Sequence, residues 1–66
     1  MNITVNGERR EVPESANLAD LVAALDLAGR RIAVELNENI VPRSLHAETL
    51  LHENDRVEIV HAIGGG

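Results

Sequence analysis

A chain of 66 residues makes one small domain, which buries only roughly 60% of its unfolded surface and has no deep interior for a complete active site. Six arginines, no lysine and eleven acidic residues give a net charge of −5, which argues against a nucleic-acid or anionic-membrane binder, and the absence of aromatic residues makes stacking on bases unavailable. Cysteine is absent too, which removes disulfides, thiolate nucleophiles and cysteine metal sites.

The opening MNITV alternates, with Met1, Ile3 and Val5 on one face and Asn2 and Thr4 on the other, the period of a half-buried strand. Asn6-Gly7 predicts a hairpin, because both residues tolerate the positive φ of a type I′ turn. ERREV returns as an edge strand closed by Pro13, which has no N–H to give a ladder. NLADLVAALDLAGRR predicts the main helix: Leu18, Leu21, Val22 and Leu25 fall at i, i+3, i+4 and i+7 on one stripe. Asn17 is its N-cap, Asp20 sits in the first turn, Gly29 is placed at C′, and Arg30 and Arg31 lie near the negative end of the dipole.

RIAVELNENIVPR reads as a third strand with Ile32, Val34 and Leu36 on one face, then a turn at Asn37-Glu38-Asn39 and a short strand at Ile40 and Val41 that Pro42 ends. SLHAETLLHEND is irregular with one helical turn and places Leu45, Leu50 and Leu51 under the sheet. A turn at Asn54-Asp55 opens the last strand, RVEIVHAI, with Val57 and Ile59 inward and Arg56, Glu58, Val60 and Ala62 outward.

This order predicts an α+β fold, a mixed sheet of about five strands with one main helix packed on one face. With the first and last strands parallel at the centre, it is a β-grasp (ubiquitin-like) domain over residues 1–63, followed by a flexible glycine tail at 64–66. His46, His52 and His61 show no zinc spacing, and no metal site is expected. No apolar run approaches the ~20 residues of a membrane span, and the N-terminus lacks a signal-peptide pattern, so the expected location is cytoplasmic.

Several segments taken together carry a likeness: the short first strand opening at Met1, NGE at the hairpin, LADLVAALDL in the helix, AVELNENIVPR through the middle, NDRVEIV into the last strand, and the terminal AIGGG. Over its whole length the chain resembles the ThiS family of sulfur carriers of thiamine biosynthesis, and LNENIVPR is the most discriminating part. The family often has a glycine where this chain has Asn54, and Gly64 precedes the family's closing glycine pair. Asparagine also tolerates the left-handed conformation.

The resemblance implies a carrier that is a substrate of partner enzymes and not itself an enzyme. Gly66 is the implied point of covalent modification: its carboxylate attacks the α-phosphate of ATP within an E1-like adenylating enzyme (ThiF type). Sulfur from a persulfide donor then displaces AMP and leaves a thiocarboxylate, which passes to thiazole synthase (ThiG type). ATP and magnesium belong to the activating enzyme, and no cofactor is expected on this chain. Gly64 and Gly65 are the implied threading residues. Three extended residues span about 10 Å, and without Cβ atoms they pass a narrow channel. Val60, Ala62 and Ile63, just before the tail, are the candidate docking residues, and Glu35, Glu38 and Glu58 are candidates for steering towards basic surfaces. Other acceptors (molybdopterin, a thiolated tRNA base, an amino-acid precursor) remain open, as do a ubiquitin-like modifier joined to a target lysine and a plain interaction module with an inert tail.

Overall fold

In the computed structural model, which describes residues 1–62, the elements run β1 (Asn2–Val5), β2 (Glu8–Glu11), α1 (Leu18–Ala24), β3 (Ile32–Leu36), β4 (Asn39–Ile40), a 3-10 segment (Arg43–Glu48) and β5 (Arg56–His61). Asn6 and Gly7 take φ of 51° and 85°, the left-handed pair that the hairpin between β1 and β2 requires. The sheet order is β2-β1-β5-β3-β4, with β1 and β5 parallel at its centre and the other pairs antiparallel. This is the β-grasp arrangement, with charged β2 on the edge, as the ERREV pattern predicts. Ile3, Val34, Val57 and Ile59 from the sheet meet Leu18, Leu21 and Val22 of α1 and Leu51 in one core.

Helix α1 starts as its sequence dictates. The Asn17 side chain accepts from the Asp20 N–H at 2.8 Å, and the Asp20 carboxylate accepts from the Asn17 N–H at 3.0 Å, a reciprocal capping box. The end differs from expectation. The helix stops at Ala24, and Asp26, not Gly29, is the left-handed C′ residue, at φ 61°. Its N–H reaches the Ala23 carbonyl at 3.0 Å, and the Leu27 N–H reaches the Val22 carbonyl at 3.0 Å, which is a Schellman pair. The reason is side-chain direction. At about 100° per residue, a continued helix would carry Leu27 to the face opposite Leu18, whereas the early stop folds Leu27 back against the core. Gly29 belongs to the following turn at φ 81°, and Arg30 and Arg31 lie beyond the helix, whose last turn has no basic residue.

Two further corrections come from local geometry. Asn37 and Glu38 are both left-handed (φ 50° and 73°), so the turn takes only those two residues and Asn39 already pairs with Leu36. The short strand β4 is Asn39–Ile40, one residue earlier than expected, and the Val41 N–H still donates to the Val34 carbonyl at 2.9 Å. In the segment after Pro42, Leu45 and Leu50 are exposed and only Leu51 is buried. A 3-10 turn has three residues, so it turns His46 inward and Leu45 outward. His46 is buried with Nε2 3.0 Å from the Val41 carbonyl. Leu50 then bridges to Asn17 in extended conformation, where neighbouring side chains point to opposite sides, so Leu51 takes the core and Leu50 the solvent.

Candidate functional site

The sequence places the site at the end of β5 and in the residues beyond it. β5 is central because its alternation buries Val57 and Ile59 under α1, while Arg56, Glu58 and Val60 face away. On one side it pairs with β3 at five positions, from Leu36 opposite Val57 to Ile32 opposite His61. The Ala62 N–H adds one more bond, to the Arg31 carbonyl at 2.9 Å. On the other side β1 covers only Arg56 and Val57 before it turns away at Asn6.

Where β1 leaves, Asn6 takes its place. The Asn6 N–H donates to the Val57 carbonyl at 2.9 Å, its side-chain Nδ2 donates to the Ile59 carbonyl at 3.2 Å, and its Oδ1 accepts from the Ile59 N–H at 2.8 Å. A side-chain amide carries the same donor and acceptor as a peptide group, so it makes the pair of bonds that a further strand residue would make. No periodicity marks this contact in the sequence; Asn6 is legible there only as a turn former.

Of the candidate docking residues, Val60 is 59% exposed on the sheet face away from the helix, opposite Ala33 of β3, and Ala62 is exposed beyond it. The register also brings Ile40, 72% exposed, opposite Glu35 on that face, which in turn stands opposite Glu58. The sequence pattern does not single out Ile40 for this face, although the two-residue turn before it fixes its side of the sheet. The open face therefore carries exposed apolar groups beside two carboxylates set directly across the ladder, a like-charge pairing that costs stability. Glu38 is tied to Arg56 at 3.0 Å. Ile63, Gly64, Gly65 and Gly66, and with them the expected boundary between domain and tail, lie outside the described residues.

His61 shares the inward side with Val57 and Ile59 but lies exposed at the mouth of a shallow cleft of about 300 Å³ that Leu25, Leu27 and Ile59 help to line. His52 is exposed, 3.9 Å from Asp55. Among the described residues no group of three or more His, Asp or Glu side chains could hold a metal ion, and no helix is long and apolar enough to cross a membrane.

Comparison with known proteins fits this geometry. The model of the ThiS family matches residues 3–66. The sulfur carrier protein ThiS of Bacillus subtilis is 34% identical over 53 residues, 80% of each chain. A crystal structure of the thiamine biosynthesis protein ThiS from Geobacter metallireducens superposes with a TM-score of 0.86 at 38% identity, covering 100% of both chains. A thiazole synthase of Paramagnetospirillum magneticum is 39% identical over 66 residues; the whole of this chain spans only 20% of that protein's length.

Proposed function

This chain belongs to the ThiS family, and we propose that it carries sulfur for the thiazole ring of thiamine on its C-terminal glycine. The carboxylate of Gly66, ionised at neutral pH, attacks the α-phosphate of ATP in a ThiF-type adenylating enzyme; pyrophosphate leaves and an acyl-adenylate forms. The outer sulfur of a persulfide donor attacks the activated carbonyl carbon and AMP leaves, giving an acyl persulfide. A thiol of the partner proteins then attacks its S–S bond, so that a disulfide forms on the partner side and the terminus is released as a thiocarboxylate. Thiazole synthase then takes the sulfur. The supporting observation is that the family match extends to residue 66 and so includes the terminal glycines, which are separated by two residues from the end of the central strand of a β-grasp body. The likeness to a segment of a thiazole synthase supports that enzyme as the acceptor. Without a cysteine the chain has no persulfide site of its own, which leaves its terminus to hold the cargo.

The test is mass spectrometry of the C-terminal peptide after incubation with ATP, magnesium, the host's activating enzyme and a persulfide source. A thiocarboxylate on Gly66 is expected. Reading the terminal peptide matters, because oxygen-to-sulfur exchange nearly matches the mass gain of Met1 sulfoxide. An unmodified carboxylate with active enzyme and donor sinks the proposal and favours a conjugated or inert tail.

Docking falls to the open sheet face, where Val60 and Ile40 offer apolar area and Glu35 and Glu58 offer charge to a basic, partly apolar partner surface. Val60→Asp should raise the half-saturating concentration of the carrier for its activating enzyme about tenfold, the loss of one well-packed apolar contact. The far-UV circular dichroism should stay parental, because Val60 is exposed. Unchanged saturation behaviour would move the interface elsewhere.

A further inference from the structure

Beyond Val57, among the described residues, one flank of β5 has no strand to pair with, yet the Ile59 N–H and carbonyl on that flank are both satisfied by the Asn6 side chain. We infer that Asn6 is a positioning residue: its amide acts as a last rung on the β1 side of β5 and fixes the direction in which the chain leaves the domain towards Gly66. The inference rests on the sulfur-carrier reading for its consequence, though not for its geometry. β1 itself supports β5 only to Val57, and the side chain of Asn6 moves the end of two-sided support to Ile59, two residues or ~6.6 Å further along the strand. Past Ile59, among the described residues, β3 and the Arg31 carbonyl hold the strand, through His61 and Ala62.

The magnitude separates reach from direction. Without the amide, two-sided support ends at Val57 and not at Ile59, and the number of residues that follow its end grows from seven to nine. For a freely flexible arm this dilutes the terminal carboxylate by only ~1.5-fold, from the −3/2 power of length. A larger loss of reactivity reports misdirected exit of the strand.

Asn6→Gly is the informative variant. Glycine accepts the φ of 51° and keeps the backbone N–H that bonds Val57, so the turn survives and only the side-chain rung is removed. Amide exchange at Ile59 should become at least tenfold faster while Ala33, paired with Val60 in the β3–β5 ladder, stays protected. With purified activating enzyme, the single-turnover rate of adenylate formation at saturating enzyme should fall at least twofold, with the half-saturating concentration unchanged. Asn6→Asp keeps the acceptor for the Ile59 N–H and tolerates the left-handed backbone, but it sets a carboxylate oxygen against the Ile59 carbonyl where Nδ2 donated at 3.2 Å, so it should restore only part of the protection at Ile59. Should Asn6→Gly fail to fold, exchange in the parent protein still decides: Ile59 must be protected to the level of Ala33, whose pairing with Val60 lies in the hydrogen-bonded register set by Asn37–Arg56 and Arg31–Ala62. An exposed Ile59 amide in the parent, or a folded Asn6→Gly variant with parental exchange or with less than a twofold drop in rate, overturns the inference. Failure of the parent to be adenylated would instead sink the sulfur-carrier reading and leave the exchange result standing.

Discussion

Gly65→Val should leave a folded protein that its activating enzyme can no longer adenylate, with a rate loss on the order of a hundredfold or more, the cost of misplacing a reacting group by about 1 Å. Two effects add. A β-branched residue loses the backbone angles open only to glycine, and on the proposed mechanism its two methyl groups would widen a chain that has to enter a confined channel to reach ATP. Gly66→Val should be at least as damaging, because the bulk then stands on the carbon beside the reacting carboxylate. Glycine has no side chain for a core to lose, and the buried core members among the described residues run from Ile3 to Ile59. The thermal midpoint should therefore stay within about 3 °C of the parent, the range of a neutral surface change in a domain this size. Pyrophosphate exchange catalysed by the activating enzyme measures the first step alone, so that a later defect in sulfur transfer is not confused with it. Parental exchange rates for Gly65→Val would mean that the terminus reacts in an open site and that the glycines serve some other purpose.

The parts of this fold that can be read from the sequence are those where one local signal settles the outcome. Asn6-Gly7 has few conformations other than its turn; Asn17 and Asp20 complete each other's hydrogen bonds at the helix start; and Val57 and Ile59 are inward because a strand has a period of two. The misplacements come where two signals compete. Gly29 is a good helix terminator by type, but burial of Leu27 decides earlier and recruits Asp26 into a conformation aspartate tolerates. Hydrophobicity alone places Leu45 and Leu50 inside, but it does not encode the choice between 3-10 and extended backbone, and that choice gives the inner places to His46 and Leu51. The second role of Asn6 belongs to a third kind: a contact across 53 residues between a side chain and a backbone, which leaves no local trace.

The competition over the leucines can be turned into a measurement with a large effect. Leu18 is fully buried at the start of α1, and its N–H donates to the Thr49 carbonyl at 2.9 Å, joining the helix to the segment that precedes β5. Leu18→Ala leaves that backbone bond in place and removes the side chain from the centre of the core, at a cost of roughly 2–5 kcal/mol. A single core of this size supplies little more than ~3–5 kcal/mol in total, so the variant should be largely unfolded at 25 °C. Leu50 sits beside the same junction through its bridge to Asn17 but is 57% exposed, and Leu50→Ala should cost less than about 1 kcal/mol. Urea titration must be followed by far-UV circular dichroism, since the chain has no aromatic residue to report by fluorescence. A large gap between the two leucines supports the 3-10 segment and the extended bridge as the device that sorts them. Equal costs would put Leu50 under the sheet after all, and with it would fall the register that carries the chain from α1 into β5 and its terminus.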